Sequence, residues 1–98
     1  MSGPYQTYGR PGVSQNVAYT GTHGRIANAI SDHIFLVRVV LTTSGHIKIG
    51  NEGNLAATTS DIYMPAGIPE YFAVRPGEKI SAIRETSSGT MHVTEITN

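Results

Sequence analysis

The chain has 98 residues, 39% apolar and only 14% charged, with no cysteine, no tryptophan and a formal net charge of zero. That length supports one domain with a modest core, burying roughly 60–70% of its unfolded surface. Without cysteine there is no disulfide, no thiolate nucleophile and no zinc–cysteine site.

Ser, Thr, Asn and Gly stand where charge would normally be. Such a surface is easily desolvated, because burying an ion costs several kcal/mol unless it is paired. The composition therefore suits a protein packed against neighbours, and equally an ordinary uncharged β-domain. Residues 1–30 carry Arg10 and Arg25 and no acid, while residues 31–98 carry five basic and seven acidic side chains. A body so sparsely charged lacks the phosphate-neutralising cations of broad nucleic-acid binding, so nucleic acid is not expected as a partner. The longest apolar run, Ile34 to Leu41, is interrupted by Arg38 and falls well short of the roughly 20 residues that span a bilayer. The opening MSGPYQTYGRPG lacks an apolar signal core. A soluble chain with no membrane partner is the expectation.

Residues 1–24 show no sustained apolar period and hold five glycines, two prolines and three tyrosines, Tyr5, Tyr8 and Tyr19. Such a segment buries too little apolar surface to offset its ordering entropy, so it reads as an extended N-terminal arm ahead of a domain at residues 25–98. Tyrosine interleaved with Gly and Arg supplies amphipathic contact area with few rotatable bonds. Tyr5, Tyr8, Arg10, Tyr19 and Arg25 are thus the candidate partner-binding residues of the arm.

Ile26 to Ile30 alternates for five residues and reads as a strand or a short turn of helix, broken by Ser31-Asp32-His33. Ile34 to Thr42 is the strongest strand, with Phe35, Val37, Val39 and Leu41 on one face and Ile34, Leu36, Arg38 and Val40 on the other. Both faces being nearly apolar, the second is expected to be covered by another chain or by the arm. Thr43-Ser44-Gly45 turns the chain into the alternating strand His46–Gly50. Asn51 to Asp61 is a polar loop able to cross between sheets, and Ile62-Tyr63-Met64 is a short strand. Pro69 confines any strand beside it to an edge. Three more runs, Phe72–Val74, Ile80–Ile83 and Met91–Ile96, are divided by Arg75-Pro76-Gly77-Glu78 and Thr86-Ser87-Ser88-Gly89. About seven strands at 8–12-residue spacing predict an all-β chain, a small antiparallel β-sandwich or jelly roll.

No catalytic pattern emerges. His23, His33, His46 and His92 show no metal-ligand spacing, and Asp32 and His33 would point to opposite faces of a strand. His46 and His92 are expected on solvent faces. Ser44 and Ser87-Ser88 are turn residues with no nucleophile elbow around them. Gly21-Thr22-His23-Gly24-Arg25 lacks the lysine of a phosphate loop. A non-enzymatic protein without metal or cofactor is expected. Arg38, mid-strand among apolar neighbours, is expected to pair with Glu70 or Glu95 or to reach a subunit boundary. Tyr63, Tyr71 and Phe72 form either core packing or an exposed aromatic patch, so Arg38, Tyr63 and Tyr71 are the candidate binding residues of the body.

The runs VRVVLTTSGHIKIGNEG, SDIYMPAGIPEYFAVRPGEKISAIRE and SGTMHVTEIT together resemble small virion proteins of tailed bacteriophages. The resemblance spans Ile34 to Thr97 and is carried by Lys48, Ile49, Gly50, Pro65, Ala66, Gly67, Pro69, Glu70, Tyr71, Phe72, Pro76, Gly77, Lys79 and Ile80. It implies a β-sandwich or jelly roll in the virion, with no catalytic or metal residues. The function implied is capsid cement or decoration, in which a trimer clamps neighbouring major capsid subunits through sandwich and arm. A tail or neck adaptor, then a glycan-binding module, are the alternatives.

Overall fold

The computed structural model of the chain describes residues 9–97. Eight strands run through them: β1 (Arg10–Tyr19), β2 (Gly24–Arg25), β3 (Leu36–Leu41), β4 (Gly45–Gly50), β5 (Ile62–Met64), β6 (Glu70–Ala73), β7 (Lys79–Arg84) and β8 (Gly89–Thr97). Among the described residues there is no helix, and so none long and apolar enough to cross a membrane. One antiparallel sheet has the order β1-β8-β3-β6 and the second β2-β7-β4-β5.

The pairing is nested. β4 pairs with β5, β3 with β6, β2 with β7 and β1 with β8, each antiparallel. A single long hairpin with its tip between β4 and β5 has been rolled so that successive strand pairs fall alternately in the two sheets. Contacts of β3 with β8 and of β4 with β7 close the roll. This is the strand order of a jelly roll, the all-β architecture that the spacing of turn residues predicts. The only connection that stays within one sheet is β4 to β5, so the Asn51–Asp61 loop does not cross between sheets as expected.

Alternation fixes what lies inside. Val37, Val39 and Leu41 of β3 and Met91 and Val93 of β8 turn inward, against Ile47 of β4 and Ile80 and Ala82 of β7, and all are buried. Phe35 does not join them; it precedes the strand proper and is 61% exposed, although its carbonyl accepts the Val74 amide. Ile26, Ile30 and Ile34 are buried without lying in a strand or helix, their connection closing one end of the sandwich.

The N-terminal boundary lies elsewhere than composition suggests. Arg10 to Tyr19, expected to be arm, is the outer strand of the first sheet, paired with β8 from Arg10↔Thr97 to Tyr19↔Gly89. Ladder bonds are made by backbone, so a long partner strand recruits a Gly- and Gln-bearing segment that has little apolar pattern of its own. Pro11 is accommodated because β1 is an edge and the register shifts by a bulge between Pro11 and Ser14. Gly24 is required at the corner into β2, where a Cβ would stand 2.0 Å from the Ala18 carbonyl oxygen.

Tyr19 ends β1 in the core, 1% exposed. Its hydroxyl donates to the Thr43 carbonyl and accepts from the Thr43 amide at 3.2 Å, fastening β1 to the β3–β4 turn. Tyr19→Phe removes the donor and leaves the Thr43 groups without it, a loss of about 1–3 kcal/mol. For a domain of this size that lowers the melting temperature by roughly 4–8 °C per kcal/mol, read by thermal denaturation followed by circular dichroism.

Candidate interaction surface

The two outer faces of the sandwich are treated differently. On the second sheet, Ser81 points outward from β7 yet is fully buried, because the Asn51–Asp61 loop folds down over it. Three hydrogen bonds hold the loop. Arg25 Nη1 donates to the Leu55 carbonyl at 2.8 Å, the Ala57 amide donates to Ser81 Oγ at 3.0 Å, and His46 Nδ1 lies 3.1 Å from the Asp61 carbonyl oxygen. Leu55 and Ala57, within the loop, are themselves buried.

His46 is the centre of this arrangement. Although it points to the outer face of β4, it is only 7% exposed, against the expectation of a solvent histidine; His92 is exposed as expected. The Tyr63 ring stacks edge-on at 5.5 Å, and Nε2 lies 2.5 Å from the Glu85 carboxylate. Both ring nitrogens therefore face oxygens that accept, a carbonyl and a carboxylate, and the arrangement is fully satisfied only by the imidazolium. The bond to Glu85 is the main cause that raises the pKa, with burial opposing it and the Asp61 carbonyl adding to it. Among the described residues no serine or threonine hydroxyl bonds the His46 ring, and Ser44 Oγ accepts from the Ala66 amide. Among the described residues no three His, Asp or Glu side chains gather as a metal-holding group.

The outer face of the first sheet carries no such cover among the described residues. Ser14, Thr94, Arg38 and Tyr71 form one rung across all four strands, through the registers Ser14↔Thr94, Arg38↔Thr94 and Arg38↔Tyr71. With Leu36, Ile96, Pro11 and Gly9 they line a cleft of about 800 Å³. Arg38 does not make the ion pair expected of it. Glu70 stands opposite Val39 and Glu95 opposite Val37, so alternation turns both acids to the inner side while Arg38 faces out. Glu95 is instead buried, accepting from the Ser31 amide and hydroxyl, each at 2.9 Å. The one ion pair among the described residues is His46–Glu85.

A second feature borders this face. β5 and β6 are edge strands of the two sheets and follow one another in the chain, so they lie on the same side of the roll. Ile62, Tyr63, Ile68 and Tyr71, 48–59% exposed, give that side an apolar rim.

The expected site residues therefore separate. Tyr63 lies on the outer face of the second sheet against His46, whereas Tyr71 lies on the outer face of the first sheet and lines the cleft with Arg38. Tyr19 is core and Arg25 is engaged by the loop, so neither is the partner-facing group expected of an arm, because the segment carrying them is sheet. Arg10 is exposed at the start of β1, and Tyr5 and Tyr8 lie outside the described residues. Comparisons with protein-family models, with curated proteins and with solved structures find no match to this chain.

The His46 geometry makes stability depend on pH in a defined sense. Because its folded pKa is raised, the stabilisation is fully present below the ordinary histidine value of about 6.5 and disappears as pH rises through the folded value. Urea midpoints measured across that interval fall with rising pH in the native chain. In His46→Gln the midpoint is lower in acid and the slope across the interval is lost.

Proposed function

We propose that this chain is a non-enzymatic virion structural protein of a tailed bacteriophage, a capsid cement or decoration protein. In this reading a trimer of the chain clamps neighbouring major capsid subunits. The observation that carries the reading is the exposed apolar residues along β5 and β6, beside a sheet face without cover among the described residues. Large exposed apolar residues gathered on one side of a small domain mark a surface that meets another protein. Two further features support it. The charge-poor surface is cheap to desolvate, and the likeness of Ile34–Thr97 to phage virion proteins points to repeated display, in which many modest contacts sum to a strong clamp. A jelly roll hosts capsid proteins, lectins and cupins alike, so the fold does not choose between them.

The part assigned to the arm changes. Contacts between copies are carried by the rim residues Ile62, Tyr63, Ile68 and Tyr71 instead of by Tyr19 and Arg25.

Light scattering of the full chain gives its absolute mass. A trimer that dissociates in Ile68→Asp or Tyr71→Asp, with an unchanged circular dichroism spectrum, is the expected result; both side chains are exposed, so neither change disturbs the core. A ring of five or six copies would move the protein to the neck or tail. A monomer unaffected by either substitution would remove the threefold clamp.

A further inference from the structure

The Arg38 cleft is a site of its own. Arg38 is a half-buried residue in a mostly apolar cleft, and with no carboxylate in ion-pair reach among the described residues it lacks the counter-charge such a position normally requires. We propose that the cleft binds a small amphipathic monocarboxylate, a carboxyl group on an aliphatic or aromatic body, with Arg38 as its anchor.

The rung supplies complementary groups in order. Arg38 presents a planar fork that matches the two oxygens of a carboxylate. Beside it, Ser14 Oγ and Thr94 Oγ1 are 3.0 Å apart. In such a pair one hydroxyl donates to the other and the second proton is left over, free to point at a bound oxygen. On the other flank stands Tyr71, 59% exposed, whose ring walls the cleft. Leu36 and Ile96, one rung along, give an apolar floor for the body of the ligand, with Pro11 at its end.

The balance of charge selects the class. One cation in an apolar setting neutralises one negative charge, so a phosphate dianion would be desolvated with half its charge uncompensated. A neutral alcohol of the same length would leave Arg38 as it is in the empty cleft. The size also suits a small ligand, because a cleft of about 800 Å³ lies within the range of ligand sites and exceeds what one side chain fills. This inference stands on the cleft alone and does not depend on the virion reading.

Amide chemical shifts of the isotope-labelled full chain, titrated with octanoate and separately with 1-octanol at neutral pH, test it. Octanoate is expected to give saturable shifts clustered on Leu36, Arg38, Tyr71, Thr94 and Ile96, and to bind about tenfold tighter than octanol. Arg38→Gln, a change on an outward-facing position, is expected to abolish that preference while leaving the rest of the spectrum in place. Thr94→Val is expected to weaken octanoate and spare octanol. The proposal is overturned if the two ligands bind alike, if Arg38→Gln retains the preference, or if the shifts fall elsewhere. Shifts on this rung that follow protein concentration instead of octanoate would also overturn it, by assigning the cleft to a second copy of the chain.

Discussion

The strict alternation of side chains along β3 and β8, the two central strands of the first sheet, governs most of what this molecule presents to its surroundings. Val37, Val39, Leu41, Met91 and Val93 must face the second sheet, because their burial makes the core. Each buried aliphatic side chain contributes about 1.5–3 kcal/mol, so a slip of one residue in register would expose the whole set. With that parity fixed, Leu36, Arg38, Thr94 and Ile96 have no choice but to face outward. Glu95, in turn, is forced inward, where it is tolerated only because Ser31 donates to it twice. The cationic cleft is in this sense a by-product of the core: what makes the inside apolar also separates Arg38 from the nearby acids.

The second sheet is closed by its own sequence. A histidine whose two nitrogens grip a loop carbonyl and a carboxylate, with Arg25 and Ser81 holding the same loop further back, turns a polar eleven-residue connection into a cover. One face of the sandwich is thereby covered by its own loop, and the other has no such cover among the described residues.

Most of the strands are legible in the sequence, because β3, β4, β7 and β8 carry period-two patterns between turn residues that have a mechanism. β1 is not, since Arg10–Tyr19 makes its ladder with backbone and contributes only Val17 and Tyr19 to the interior, too sparse a pattern to register. Of the cleft, the alternation in MHVTEIT already sets Thr94 and Ile96 on one face with Glu95 on the other, so the failure of the Arg38–Glu95 pair could have been read. Ser14 could not, because a bulge decides its partner. The burial of His46 was equally hidden: it depends on a loop and on Glu85, thirty-nine residues away in sequence, and no local pattern announces such a closure.

The nested pairing also bears on how the chain reaches this state. β4 and β5 are joined by an eleven-residue loop, whereas the ladder of β1 with β8 begins at Arg10↔Thr97, nearly the full described length apart. Loop-closure entropy rises with separation, so the tip of the long hairpin is the cheapest pair to form and the β1–β8 pair the costliest. Each pair formed shortens the effective loop for the next. Loop-closure entropy thus favours assembly of the roll from its tip outward, with β1 the last strand laid down, at the slow rate typical of non-local β-topologies.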